Sequence, residues 1–419
     1  MMKKWKRLFL AIIIIIAAAA ASWFTYATHE RRLPLLQINN LIQIIPVDSA
    51  TGRTFSWQAE EGDRDFSLEY RKSGATLTAT ATPSTTTVKA YRAQEIPQTI
   101  YSVYLENLTP DTEYEYRLVT KNKGTDWKTF KTTPAKLDHF KILIFGDSQA
   151  ADYTVWGRTA SEAWTKNPDA AFFINMGDIV DNGQDNYQWR EWFKNARPLL
   201  DAIPFAPVLG NHEAYSIDWK EAKPETFPAL FAVPENGPVG QKRLAYSFDY
   251  GNVHFVALNS DYQEIHEWYP TMMEDETAWL EADLAKASAA GQRIIILMHR
   301  IMWNYRASGT YDINGEHFGP LFDKYHASIV FLAHIHSYSR TRPRIDNRDA
   351  AGGTVYITTG RTGEKFWSGS IHKDFDETFY NPTDMTMYIT MDVEPQDFKI
   401  NAYKVDGTLI DSAVIPTTK

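Results

Sequence analysis

The sequence predicts an all-β sandwich followed by an α/β domain, behind a short apolar leader, and three observations carry that prediction. Residues 39–134 run as short stretches of alternating apolar and polar residues separated by turn residues, as in a sandwich. From Phe140 onward, apolar runs of strand length alternate with segments of helical character, the grammar of an α/β domain. Ahead of both, residues 1–32 hold six Lys or Arg and one Glu around an uncharged run at 8–27.

In the leader, Lys3, Lys4, Lys6 and Arg7 precede LFLAIIIIIAAAAA, whose closing alanines suit signal peptidase. The uncharged run is 20 residues, which is also the length of one bilayer crossing with its basic end inside. A cleaved signal peptide and an uncleaved anchor both fit residues 1–32, and either places the body of the protein outside the cytoplasm, secreted or anchored by residues 8–27. A buried soluble helix does not fit, because five consecutive Ile would need burial on every side.

The 419 residues carry a net charge of -9, of which the leader contributes +5, so the body is acidic at -14. Such a body repels polyanions, and no duplex nucleic acid partner is expected. There is no cysteine, which excludes disulfides, thiolate metal sites and cysteine nucleophiles and leaves metal chemistry to His, carboxylates and amides.

In the sandwich, strands are expected at 54–57, 66–70 and 100–105, with strand and loop over 75–88. The run LTPDTEYEYRLV, with Leu108, Pro110, Thr112, Tyr114 and Tyr116, resembles a fibronectin type III domain near its tyrosine corner, and Trp57 matches the buried strand tryptophan of that fold. In the second domain the expected strands are 139–145, 171–176, 205–209, 253–258, 293–298, 328–332 and 354–358, and the expected helices 187–200, 274–290 and 318–326. Residues 385–415 return to strand alternation and complete a sheet edge. Trp156, Trp164, Trp189, Trp192 and Trp279 fall in helical segments where packing accounts for them, and His254 reads as a packed core residue.

Polar clusters stand at the strand ends: Gly146-Asp147-Ser148-Gln149, Gly177-Asp178-Ile179-Val180-Asp181-Asn182-Gly183, Gly210-Asn211-His212-Glu213, Met298-His299-Arg300 and Ala333-His334-Ile335-His336. In an α/β sheet, strand ends converge on one crevice. Carboxylates, imidazoles and amides together suit two hard or borderline cations, and a shared carboxylate lets both neutralise phosphoryl oxygens.

On these five motifs, in this order, the chain resembles a calcineurin-like metallophosphoesterase. The preceding sandwich makes it most similar to the purple acid phosphatase branch. The resemblance implies a domain at 39–136 like the N-terminal domain of that branch and a four-layer α/β/β/α metallophosphoesterase domain at 138–419. It implies that Asp147 and His336 bind a first metal, that Asp178 bridges two, and that Asn211, His299 and His334 complete the second. It further implies that His212 is the general acid with Glu213 orienting it. By residue chemistry, Arg300 and Arg361 are candidates for gripping phosphate, against the commoner role of a surface arginine.

Three departures stand out. Asp181 occupies the position of the metal-bound tyrosine of purple members, and Gln149 that of the histidine carried by most other members, so Gln149 is a candidate ligand through its amide oxygen and Tyr153 is the substitute if it is not. Ala333 replaces the usual glycine before His334, a change expected to be tolerated.

Together these readings imply a dinuclear phosphoesterase (Fe, Mn or Zn) that hydrolyses phosphate esters by metal-hydroxide attack, acting on a small phosphate ester or a cell-envelope phosphoester, with the membrane as a partner if the leader is uncleaved. The sandwich is expected to pack on the catalytic domain and space it from the membrane without supplying ligands. A cell-surface binding or adhesion module with a lapsed metal site is the alternative, and His212 speaks against it, since a structural metal site needs no acid. No phosphate-binding loop, nucleophile elbow or zinc helix is present.

Overall fold

The computed structural model describes residues 39–60, 65–92, 94–120, 123–304, 309–369 and 372–417. The leader at 1–32 lies outside the described residues. Among the described residues no helix is long and apolar enough to cross a membrane.

Two sheets pack face to face through one large apolar core, with helices on their outer faces. In the second sheet the strands Val253–Leu258, Arg293–Met298, Ile329–Leu332 and Val355–Thr359 run parallel. Every residue of these four is buried, as their near-continuous Val, Ile and Leu content requires of strands covered on both faces. The helices Met272–Ala289 and Ile313–Lys324 belong to this half. In the first sheet Phe140–Phe145, Ala170–Asn175 and Phe205–Pro207 are parallel neighbours. The strands Met387–Val393, Asp397–Lys404 and Leu409–Pro416 extend that sheet to its edge, as the alternation at 385–415 predicted.

The N-terminal sandwich is not a separate body. Its first strand, Asn39–Ile44, pairs parallel with Phe205–Pro207, which makes one continuous ten-stranded sheet out of catalytic and sandwich strands. Period-two alternation then divides its side chains: Leu41 enters the sandwich core, while Ile42 and Ile44 enter the catalytic core. Across the same junction the Arg197 guanidinium donates to Leu41 O at 2.7 Å and the Gln58 amide to Asn186 Oδ1 at 3.0 Å. The sandwich is thus welded to the catalytic domain through a shared sheet, a closer connection than the expected packing.

Within the sandwich, Trp57 is fully buried and stacks on Tyr101 with ring centroids 5.4 Å apart. The Tyr114 hydroxyl accepts from Thr109 N at 2.9 Å, which ties the turn as a tyrosine corner does. The helical tryptophans pack as expected, Trp156 stacking on Trp192 at 5.3 Å.

Candidate metal centre

All five motifs follow the carboxyl ends of parallel strands, three from the first sheet and two from the second, so both sheets deliver side chains to one crevice. The glycines before them serve close backbone approach. A Cβ on Gly210 would lie 2.3 Å from Asp178 N, and one on Gly146 2.2 Å from Thr359 Oγ1. Asp147, Asp178, His334 and His336 themselves hold left-handed backbone, with φ of 44°, 51°, 71° and 56°. Four such residues in one crevice are strain kept for a purpose, since a non-glycine residue persists there only when its surroundings over-determine it.

Ligand-type atoms gather into two groups, each within 4.8 Å: Asp178, His299 and His334, and Asp147, Asp178 and His336. Asp178 belongs to both. Asn211 joins the first, its Oδ1 lying 2.9 Å from His334 Nδ1 and 3.2 Å from His299 Nε2. Gln149 joins the second: it is fully buried, and its amide nitrogen donates to Asp178 Oδ2 at 3.1 Å and stands 3.4 Å from His336 Nε2.

The imidazoles are oriented from behind. His299 Nδ1–H donates to Met176 O at 2.8 Å and His336 Nδ1–H to Lys365 O at 2.9 Å, which turns each Nε2 toward the carboxylates. Burial and the Arg300 cation depress the pKa of His334, and burial lowers that of His336 to about 4, so both are neutral and able to ligate. Burial opposes a charge on His299 as well, but Asp178 outweighs it and raises that pKa to about 10. Asp178 is held well below the usual carboxylate range: burial works against this, and the His212 and His299 charges prevail.

This donor set fits a pair of cations. Asp147 Oδ2 and Gln149 Oε1 are buried without a hydrogen-bond partner, and turning the Gln149 amide by half a rotation would present Oε1 to the Asp178–His336 group. A buried carboxylate oxygen and a buried amide oxygen left unpartnered beside neutral imidazoles are what oxygen-seeking cations use.

His212 lies at the mouth. Its N–H donates to Asp178 Oδ1 at 2.9 Å and its Nδ1–H to Asp181 O at 2.9 Å, which leaves Nε2, 3.8 Å from Asp178 Oδ2, to exchange a proton. Glu213 does not orient it. The Glu213 carboxylate accepts from the backbone N–H of Gly210, Asp178, Ile179 and Val180, so it staples the Asp178 loop to the Asn211 loop.

Arg300 is locked beside His334 by Glu264 and by Asp261 at 3.3 Å, with its Nη1 3.4 Å from His334 Nε2. Arg361 cannot grip phosphate. It is buried, and its guanidinium donates to the carbonyls of Pro382, Gly363 and Glu364. It therefore shapes the turn whose Gly363 N–H donates to Asp147 O at 2.9 Å.

Asp181 stands outside both ligand groups and pairs with Lys365. The Tyr153 hydroxyl donates to Gln188 at 3.4 Å and is likewise outside them. Ala333 is fully buried with its N–H on His299 O at 2.8 Å, so its Cβ is accommodated. Sequence reasoning did not single out Lys365, whose carbonyl orients His336; no motif marks a backbone acceptor.

Two packed sheets thus meet at one crevice of carboxylates, imidazoles and amides at their strand ends, the setting of a metallophosphoesterase domain. Residues 140–338 match the calcineurin-like phosphoesterase family, and residues 40–132 match the purple acid phosphatase N-terminal domain. The chain thus carries a calcineurin-like metallophosphoesterase domain behind a purple acid phosphatase N-terminal domain.

An uncharacterised protein of Mycobacterium tuberculosis (strain H37Rv) is 28% identical over 62% of this chain and 57% of its own length. Purple acid phosphatase 21 of Arabidopsis thaliana is 26% identical over 64% of this chain and 59% of its own. The chain thus spans under two thirds of the length of these curated relatives. A purple acid phosphatase from yellow lupin (Lupinus luteus) seeds shares the fold with a TM-score of 0.75 at 20% identity, covering 90% of this chain and 74% of the lupin protein.

Proposed function

We propose that the protein hydrolyses phosphate esters outside the cytoplasm at a dinuclear metal centre, and one observation carries this: two ligand groups share the Asp178 carboxylate, with the free nitrogen of His212 beside it. Asp147, His336 and Gln149 would hold one cation, Asn211, His299 and His334 the other, and Asp178 both. Bound cations at such a site supply charge to phosphoryl oxygens and lower the pKa of water held there.

The chain's own groups do the rest. His212 Nε2 carries the proton for the departing alcohol, and the Asp181 carbonyl on Nδ1 fixes that tautomer. Arg300, held by Asp261 and Glu264, keeps positive charge beside His334. Glu213 holds the Asp178 and Asn211 loops in register. The basic and apolar leader supports an extracytoplasmic site, secreted or anchored by residues 8–27. The O and N donors suit hard or borderline cations, and the resemblance to the family narrows the pair to Fe, Mn or Zn. An adhesion module with a lapsed metal site is disfavoured, because it has no use for an acid held in one tautomer beside the ligands.

Elemental analysis with an aryl phosphate assay tests the reading. The metal-loaded wild type should carry two metals and turn over, while Asp178→Asn should lose most metal and activity, because close cations repel without the shared anion. Full metal and turnover in that variant would sink the dinuclear reading.

A further inference from the structure

The loop after His212 closes on itself through the bridge between Tyr215 and Glu221 and the hydrogen bonds Trp219 N to Ser216 O at 3.0 Å and Ser216 N to Lys220 O at 2.8 Å. Within it Trp219 has φ of 59°, left-handed backbone that is rare for so bulky a residue and persists only where the surroundings hold it. Burial does not explain the strain, since Trp219 is 54% exposed.

What the conformation achieves is placement. The indole stands edge-to-face with His212 at 5.8 Å and beneath the Lys365 ammonium at 4.9 Å. Two residues beyond Lys365, Trp367 is 53% exposed and lies 5.7 Å from the His336 ring. Lys365 joins the two sides, its carbonyl accepting from His336 and its ammonium paired with Asp181, whose own carbonyl accepts from His212.

We propose that Trp219, Lys365 and Trp367 form a leaving-group subsite that selects phosphate esters whose alcohol part is flat and aromatic; this rests on the phosphoester reading of the metal centre. A group displaced from phosphorus departs beside the residue that protonates it, so next to His212 its body falls against Trp219. A flat aromatic alcohol meets the half-exposed indoles with ring contacts and the Lys365 cation with its π face, and a saturated alcohol offers neither. Held open by backbone strain, the rim needs no rearrangement to receive it.

The test uses the full metal-loaded chain and aryl and fluoroalkyl phosphates matched in leaving-group pKa, so that general-acid effects cancel. Trp219→Ala should lower kcat/KM for the aryl ester by about 3- to 10-fold, and by clearly less for the fluoroalkyl ester. Trp219→Phe should restore most of the loss, and Trp367→Ala should act in the same direction. In parallel, calorimetry with benzylphosphonate and cyclohexylmethylphosphonate, which are not hydrolysed, should show the wild type preferring the aromatic ligand and Trp219→Ala losing that preference. Equal losses on both esters, or no binding preference in the wild type, overturns the subsite. A binding preference without turnover of either ester would instead overturn the hydrolytic reading and leave the subsite standing.

Discussion

At the position where purple members of the family carry their metal-bound tyrosine stands Asp181, occupied by Lys365, and the nearest substitute, Tyr153, is committed to Gln188. Without a phenolate ligand the iron-loaded protein should show no intense visible charge-transfer band in its absorption spectrum. The second group instead has Gln149, a neutral amide and a weaker donor than imidazole. Gln149→His should therefore bind the more loosely held metal more tightly in a competition titration, and an unchanged affinity would remove Gln149 from the coordination shell.

His212 makes a separate demand. General acid catalysis contributes about 10²–10⁴ in rate, and a leaving group of low pKa needs little of it. His212→Ala should depress kcat on alkyl phosphates by that order and on p-nitrophenyl phosphate by much less, so equal losses in steady-state assays would mean that His212 positions rather than protonates. At this scale the sequence was informative because ligand identity is local: each motif sits at a strand end that its apolar run announces. It misled at Glu213 and Arg361, whose partners are backbone groups brought together only by the fold.

Among the elements, His254 shows how a correct burial reading can miss a charge. It is buried as expected, yet Nδ1 meets Asp249 at 2.7 Å and Nε2 meets Asp283 at 2.8 Å, tying the strand Val253–Leu258 to the helix Met272–Ala289. Burial opposes its charge, but the hydrogen bonds to both carboxylates prevail and raise the pKa to about 9. A raised histidine pKa stabilises the fold fully below the unfolded value of about 6.5, and that stability is lost as pH rises through about 9. The shift corresponds to roughly 3 kcal/mol. Denaturant melts at pH 6 and pH 9.5 should show a larger loss for wild type than for His254→Gln, and parallel losses would refute the bridge.

Strand boundaries at 253–258 and 293–298 came out as predicted, because unbroken apolar runs flanked by turn residues leave little freedom. The segment 187–200 instead divides into Asn186–Asn195 and Arg197–Leu200, since Pro198 cannot donate to a continuous helix. The helix expected from 318 starts at Ile313, capped by the Asp312 side chain on Gly315 N, and carries Pro320 inside it. Tyr338–Thr341 and Asp376–Tyr380 escaped prediction because Arg and Asp residues break their alternation and only pairing defines them as strands.

For the whole molecule, the shared sheet changes what the sandwich does. Phe205–Pro207 leads within a few residues to Asn211 and His212, and its free edge is covered by Asn39–Ile44, so the N-terminal region supports the strand that presents Asn211 of the first ligand group and the acid His212. Ile44 is fully buried in the catalytic core. Ile44→Ala should cost about 2–5 kcal/mol, and calorimetry of the wild type should show one cooperative transition, since neither half keeps an intact sheet without the other. Two well-separated transitions would contradict the weld.

The two-domain order, the acidic cysteine-free body and the identity of nearly every candidate ligand were determined by the sequence itself, because periodicity and residue chemistry are properties of neighbours along the chain. The tertiary structure decided the rest: that Glu213 and Arg361 answer to backbone groups, and that Trp219 and Trp367 reach the same mouth from loops nearly 150 residues apart. The physical reason is that pairing and packing act between distant segments. A one-residue change in register between Asn39–Ile44 and Phe205–Pro207 would exchange the cores that Leu41 and Ile42 enter, and no local pattern specifies that partner.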